Sequence, residues 1–410
     1  MVSAIDDEMF AGQAVDDPYT YFGQLREQDP VHWNEKYAVW VVTRYDDVVW
    51  LLRNNELFSS AVLKNDPRPP YPEIDESDMG LWEDLKNFWA GWFIQRDRPV
   101  HSDMRRVLYD FFTPKAIEGW RPMVTHAIKE LLDEADEKGE IDVVRDFATP
   151  LPLLVIAQMM GLPYDDRTFI RSQAEKLLFM NRGEVGRTKL SHEANHELID
   201  YLSPLVEERM TRPGNDLISA LVDGEKRGIY TRNEVISNVI QIFVAGHETT
   251  INLICNGTLA FIQHPEQWES LKSDAEDLTP PLLYRATEEC LRYDPPIKSQ
   301  QRIVAEDVEL RGKVMHKNDR IRWFLPGANR DPEKFENPDS FDIARWPNAH
   351  VAFGAGIHHC LGAGLARLEG QEVFGSLAQR YDKLSLRSDV IEYLPSIAFR
   401  SLKSLPVSMT

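Results

Sequence analysis

The chain has 410 residues, 43% of them hydrophobic, enough for a large buried core. Lysine and arginine number 46 against 66 aspartates and glutamates, a formal net charge of −20 that argues against nucleic acid or an anionic membrane as the main partner. Three cysteines offer no disulfide framework, residues 1–8 are acidic and lack the apolar stretch of a signal peptide, and no apolar run approaches the ~18 residues of a membrane span. The expectation is a soluble, cytoplasmic protein that no linker, low-complexity tract or internal repeat divides.

In chain order, residues 31–33 and 38–42 are β-rich runs around Asn34-Glu35-Lys36, which predicts a hairpin. Trp82, Phe88, Trp89, Trp92 and Phe93 follow in one short segment, a spacing more typical of core than of a pocket. His101 and Arg105 stand four apart near a helix start, so both can reach one anion; taken alone they read as an ordinary surface pair. Prolines 99, 114, 152, 163, 213, 265 and 295 are expected to break an otherwise helical chain. Residues 308–310 and 320–324 suggest a second small sheet element. The fold class is mainly α with small β-sheets.

The longest helix starts at Thr231, where Thr231-x-x-Glu234 forms a capping box, and Pro265 stops it after His264. About 33 residues at 1.5 Å each give it roughly 50 Å. Val239, Ile240, Ile242, Phe243, Val244 and Ala245 make its middle apolar all round, which places it at the centre of the fold. Into that stretch the chain inserts Gly246-His247-Glu248-Thr249-Thr250. A carboxylate and two hydroxyls are costly there unless partnered or used. Gly246 removes a side chain where a flat cofactor or an oxygen molecule can approach, and the Thr249 hydroxyl can bend the helix or donate to a ligand. A kinked helix with satisfied polar groups is the plain alternative.

A further helix, predicted to begin after Thr279 with Pro280 at its first position, ends before Pro295. On it Glu289 and Arg292 share one face and can pair. Phe353-Gly354-Ala355-Gly356-Ile357-His358-His359-Cys360-Leu361-Gly362 is then a glycine-rich turn ending on a cysteine. Leu361, Leu365 and Leu368 recur at helical spacing, which puts Cys360 at a helix N-terminus, where the dipole and unpaired N–H groups favour thiolate. The glycines let the backbone wrap the sulfur, and a thiolate so held suits a soft metal. The alternatives are a buried structural cysteine, or zinc held by His358, His359 and Cys360. Zinc lacks a C-x-x-C pair here, and Cys255 and Cys290 stand alone in predicted helices.

This turn resembles, at every defining position, the heme-ligand loop F-G-x-G-x-H-x-C-x-G of the cytochrome P450 superfamily. Ala245-Gly246-His247-Glu248-Thr249-Thr250 resembles the family's oxygen-binding segment, [AG]-G-x-[DE]-T-[ST]. Glu289-Cys290-Leu291-Arg292 before Tyr293-Asp294-Pro295-Pro296 is similar to its E-x-x-R helix. His101 and Arg105 match its H-x-x-x-R contact, although Asp97-Arg98-Pro99-Val100-His101 departs from the D-P-P-E-H preferred there. The resemblance runs from Asp16 to Val407 and makes residues 1–410 one heme domain of the soluble bacterial type.

It implies a monooxygenase that hydroxylates or epoxidises a lipophilic small molecule with O2 and two electrons. Heme b is the implied cofactor, with Cys360 as axial thiolate and metal ligand. His101, Arg105, Arg302 and His358 are implied at its propionates, with Ala245, Gly246, Phe353, Gly354 and Gly362 also against it and His359 only a loop residue. Thr249 and Glu248 are the implied catalytic pair, hydrogen-bonding at the oxygen site and relaying protons. Glu289, Arg292 and a later arginine, Arg345, form a structural set. Trp89, Phe93, Gln241, Val244, Ile297, Gln300 and Ile397 fall at positions assigned to the substrate cavity. The electrons are expected from a separate ferredoxin or flavodoxin with its reductase, docked on a basic patch for which Arg106 and Lys115 are candidates, and the protein is expected to be a monomer. A heme-thiolate peroxygenase or isomerase would need Glu248 and Thr249 less. A non-enzymatic heme sensor would show no turnover.

Overall fold

The computed structural model describes residues 7–9, 11–66, 68, 76–138, 141–178, 187–273, 281–388 and 390–410. At its centre is the helix announced by the capping box, here Arg232–Gln263. Both halves of the box form: Thr231 Oγ1 accepts the Glu234 N–H, and the Glu234 carboxylate accepts the Thr231 N–H. This central helix packs against Pro150–Met159, Leu282–Tyr293 and Ala363–Arg380 and buries most of its length. Among the described residues no helix is long and apolar enough to cross a membrane.

Two helix boundaries differ from the expectation. Pro152 does not break a helix; it lies in the first turn of Pro150–Met159, where a missing N–H forfeits no intrahelical bond. The helix carrying Glu289 starts at Leu282, after an extended Pro281 (φ −53°, ψ 151°). Thr279 and Pro280 lie outside the described residues.

Five strands, β1 (Val31–Asn34), β2 (Val39–Val42), β3 (Phe58–Ser59), β4 (Ser299–Val304) and β5 (Arg320–Phe324), form one sheet in the order β1-β2-β5-β4-β3. The β1–β2 hairpin forms with its turn shifted by one residue, because Asn34 pairs with Val39 and Ala38 closes the turn at φ 47°. Buried Asn34 sets this register: its Oδ1 accepts the Tyr37 N–H and its Nδ2 donates to the Asp7 carbonyl. Residues 308–310 and 320–324 do not form one element, contrary to expectation. β5 runs inside the large sheet, parallel to β2 and antiparallel to β4, while Val308–Leu310 pairs with Lys313–Met315 in a separate hairpin. Arg320, Ile321, Trp323 and Phe324 are all buried, so β5 needs neighbours on both edges and cover on both faces.

The apolar core has a large helical part around Val239, Leu253, Phe261 and Phe374, and a smaller part against the sheet around Val42, Phe58, Ile321 and Trp323. Beside them lies a wholly buried ion pair. Arg292 Nε and Nη2 donate to the two Glu289 oxygens at 2.8 Å each, and Arg345 Nε stands 3.2 Å from the same carboxylate. The remaining Arg292 donors reach the carbonyls of Asn329, Pro338 and Ser340. The three-residue set expected from sequence therefore assembles.

Removing one member of a buried pair strands the other's charge, at a cost of about 3–5 kcal/mol. Arg292→Ala should lower the unfolding free energy from chemical denaturation by that margin, and the midpoint with it. Arg227→Ala, which breaks an exposed pair with Asp223, should leave the midpoint unchanged. Equal small losses in both variants would mean that the buried network does not brace the fold.

Candidate active site

Two connected chambers open along one face of the central helix. The inner one, about 240 Å³, is bounded by Ala245, Gly246 and Thr249 on one side and by Phe353, Gly354, His358, Cys360 and Gly362 on the other. The outer one, about 380 Å³, extends past Val244, Trp82, Trp89, Trp92 and Ile397. Gln241, Ala245, Thr249, Ile297 and Gln300 line both. Phe93 lines the inner chamber, so all seven residues expected at the substrate cavity face one chamber or the other.

The cysteine loop is shaped by its glycines in two different ways. Gly354 and Gly356 both take φ +69°, and a Cβ on Gly356 would stand 2.5 Å from the Leu52 carbonyl. Gly362 has an ordinary φ of −84° with open space where a side chain would stand, so it contributes room. The Cys360 N–H closes the loop on the Phe353 carbonyl at 2.9 Å. The following helix begins at Ala363 with Gly362 as N-cap, so Cys360 precedes the helix instead of standing at its N-terminus. Cys360 is open to the chamber yet surrounded by enough protein that desolvation pushes its thiol up; the Gly362 N–H and the charges of Arg105 and Arg367 act the other way.

Cationic side chains crowd this loop. Among the described residues neither ring nitrogen of buried His101 has a hydrogen-bond partner, and its ring packs 4.0 Å from that of His358 without itself lining the chamber. Burial, followed by Arg105 and Arg302, brings His101 down to about 4, and burial with Arg302 and His101 brings His358 down to about 2. The His358 Nε2 meets Ser60 Oγ at 2.7 Å. Arg302, lowered to about 10 chiefly by burial, makes one long 3.4 Å bond to the Gln301 carbonyl and lies 5.3 Å over the Trp323 ring. Arg105 Nη2 donates to the His359 carbonyl at 2.7 Å, which gives that loop residue a use. Such unused donors fit a flat ligand that brings carboxylates. His358, His359 and Cys360 do not gather into a metal-binding group of their own.

The expected catalytic pair is divided by the helix. Thr249 faces the chambers and donates to the Ala245 carbonyl at 2.8 Å. Glu248 turns away from the chambers, buried, and accepts from Ser401 Oγ at 2.8 Å. Successive helical residues project about 100° apart, so adjacency in sequence could not put both on one face. Gly246 lines the chamber and also lets Ile156 approach, since a Cβ would meet its Cδ1 at 3.4 Å.

Glu369 was missed. It is buried at the wall of the inner chamber, where Thr250 Oγ1 donates to it at 3.5 Å and its Oε1 has no partner among the described residues. Its signal was the helical spacing of Gly362, Leu365, Ala366 and Glu369, which puts a carboxylate on the chamber face.

A thiol loop and a half-buried threonine lining one chamber with Arg105 and Arg302 is the architecture of a heme-thiolate oxygenase. Residues 83–391 match the family model for cytochrome P450. The chain is 36% identical over 412 residues to cytochrome P450 CYP107DY1 of Priestia megaterium, covering 98% of each. It is 34% identical over 403 residues to the polyketide biosynthesis cytochrome P450 PksS of Bacillus subtilis, covering 96% of each. The crystal structure of CalO2 superposes with a TM-score of 0.88 at 31% identity, covering 99% of both chains. The chain belongs to the cytochrome P450 family. It is a monooxygenase whose cofactor is heme with a cysteine thiolate as axial ligand, in a family that uses redox partners and lipophilic substrates.

Burial raises Glu369 to about 8. The native state therefore keeps a proton that the unfolded chain loses above about pH 4.5, and stability falls as pH rises from there to 8. Glu369→Gln removes that penalty. The variant should match wild type at pH 5 and exceed it by about 1–3 kcal/mol at pH 8 in urea denaturation. A gap independent of pH would show that Glu369 is ionised in the fold.

Proposed function

We propose that residues 1–410 act as a single heme domain that hydroxylates or epoxidises a lipophilic molecule, with Cys360 as the axial ligand and Thr249 as the hydroxyl at the oxygen site. The observation that carries this is the placement of the cysteines. Cys255 and Cys290 are buried in helices, their thiols pushed well up by burial, whereas Cys360 alone of the three faces the chamber opposite Thr249. Bound heme supplies oxygen activation. The residues do the rest. Arg105, Arg302, His101 and His358 offer donors to its carboxylates, while Phe353, Gly354 and Gly362 on one side and Ala245 and Gly246 on the other leave a flat slot. Thr249 gives up its bond to the Ala245 carbonyl to donate into the chamber. Glu248 relays a proton by leaving Ser401. Trp89, Phe93, Val244, Ile297 and Ile397 supply apolar walls, with Gln241 and Gln300 as polar contacts.

The enzyme acts as a cytoplasmic monomer and takes electrons from a separate ferredoxin or flavodoxin with its reductase. Arg106 and Lys115 are exposed and available to an acidic partner. Charge reversal at either should slow reduction severalfold at low salt, measured by stopped-flow absorbance; unchanged rates would clear both of a docking role.

The dithionite-reduced protein under carbon monoxide should show a strongly red-shifted Soret band that Cys360→His abolishes. The same band in both proteins would remove Cys360 as ligand. Thr249→Ala should retain heme and substrate binding while diverting most reducing equivalents to hydrogen peroxide. Full coupling in that variant would mean that the proton-relay role given to Thr249 and Glu248 is wrong.

A further inference from the structure

Gln241 is out of place in its surroundings. It is 3% exposed on an apolar stretch of the central helix, lines both chambers, and its Oε1 has no hydrogen-bond partner among the described residues. A buried amide oxygen without a partner is destabilising, so the position points to a group that arrives with a ligand. The terminal amide torsion is broad, and rotation can present either the oxygen or the N–H2 to the chambers. A second orphan sits nearby. Trp92 lines the outer chamber with its indole Nε1 buried and without a partner among the described residues, while the neighbouring Trp89 Nε1 is already committed to Asn195 Oδ1 at 3.1 Å.

The wall beside them is stiff and flat. Trp89 and Trp92 stack at 5.3 Å with their planes 27° apart, and Trp82 meets Trp89 edge-on at 6.3 Å. Interlocked indoles present faces that suit fused rings better than a flexible chain, which would lose rotational freedom against them. Asp66, also lining the outer chamber, is already bonded by Arg68 at 2.8 Å and by Arg320.

Helix geometry adds a distance. Gln241, Ala245 and Thr249 are successive i+4 positions on the chamber face, so Gln241 lies about 12 Å along the axis from Thr249. We propose that the substrate is a flat, ring-fused molecule with a carbonyl or hydroxyl at one end, that Gln241 recognises that oxygen, and that oxidation falls at the opposite end. This rests on the monooxygenase reading above.

The test uses heme-loaded wild type and Gln241→Leu, a change that keeps the side chain's bulk and removes the amide. The probes are androst-4-en-3-one, whose 3-ketone is its only oxygen, its 3-deoxo analogue and palmitic acid, with dissociation constants read from the heme absorbance shift. Wild type should bind androst-4-en-3-one about tenfold more tightly than the 3-deoxo analogue, the gain of one buried hydrogen bond. Gln241→Leu should erase that difference while leaving affinity for the 3-deoxo analogue unchanged. Mass spectrometry of the wild-type product should place the new oxygen away from the ring that carries the 3-ketone.

A preference that survives in the variant, tighter binding of palmitic acid than of either steroid, or oxidation beside the 3-ketone would overturn the inference. So would no binding of any probe to a protein whose carbon-monoxide band is normal, with the monooxygenase reading intact. Loss of the band itself in wild type would instead bring down that reading.

Discussion

The buried carboxylate of Glu289 is the fixed point from which the cysteine loop is positioned. Arg292 clamps it in two places and passes its remaining donors to the carbonyls of Asn329, Pro338 and Ser340. Asn329 then accepts the Val351 N–H on its Oδ1, the Val351 carbonyl accepts the Gly354 N–H, and the Phe353 carbonyl accepts the Cys360 N–H. One run of hydrogen bonds thus connects an ion pair in the core to the sulfur. Asn348 adds a direct strut, donating to Glu289 at 2.9 Å. Ion pairs this deep seldom add net stability over apolar packing, but they punish any misplacement of their partners. That intolerance suits a loop whose purpose is to hold one atom at one height above a cavity.

The central helix divides its two faces between cavity and scaffold. Gln241, Ala245 and Thr249 face the chambers, whereas Glu248 and Asn256 are joined to the C-terminal segment. Asn256 donates to the Arg400 and Asp294 carbonyls, which explains a buried asparagine there without invoking glycosylation of the Asn256-Gly257-Thr258 sequon. The Ser401 bond makes Glu248 part of the brace in this structure, so a proton role requires it to exchange one partner for another. The same residue is then structural at rest and chemical only when it moves.

Much of this was legible because it is local. The capping box at Thr231 and Glu234, the helical pitch to His264 and the Glu289–Arg292 spacing each depend on residues within one or two turns, and each forms as written. One failure involves a long-range partner. Nothing local in residues 308–310 and 320–324 tells that Arg320–Phe324 belongs between β2 and β4, because β2 comes from near the opposite end of the chain. Glycines 354, 356 and 362 look alike in sequence, yet only the first two need positive φ. The orientation of Glu248 follows from the 100° step between helical neighbours, a rule available from the start that the motif obscured. Glu369 was hidden for a related reason: a charged residue in an ordinary-looking helix announces nothing until its face is known.

A chain of net charge −20 nonetheless concentrates cations beneath one chamber. Arg367 is held there by Glu288, bonded at 2.7 and 2.9 Å, and lies 4.6 Å over the Phe353 ring. Arg105 and Arg302 donate instead to carbonyls, and the His101 ring has no partner among the described residues. Buried and repelled by these arginines, both imidazoles stay neutral at physiological pH; in the role proposed for them, His101 and His358 would offer N–H donors while the guanidiniums carry the charge. A site left this way gains most from an anion that binds the native state and not the unfolded chain, and that gain is added to folding stability by linkage. In the role proposed for these residues, loading the cofactor and completing the fold are therefore one thermodynamic step, and the unspent donors beneath Cys360 are where the two meet.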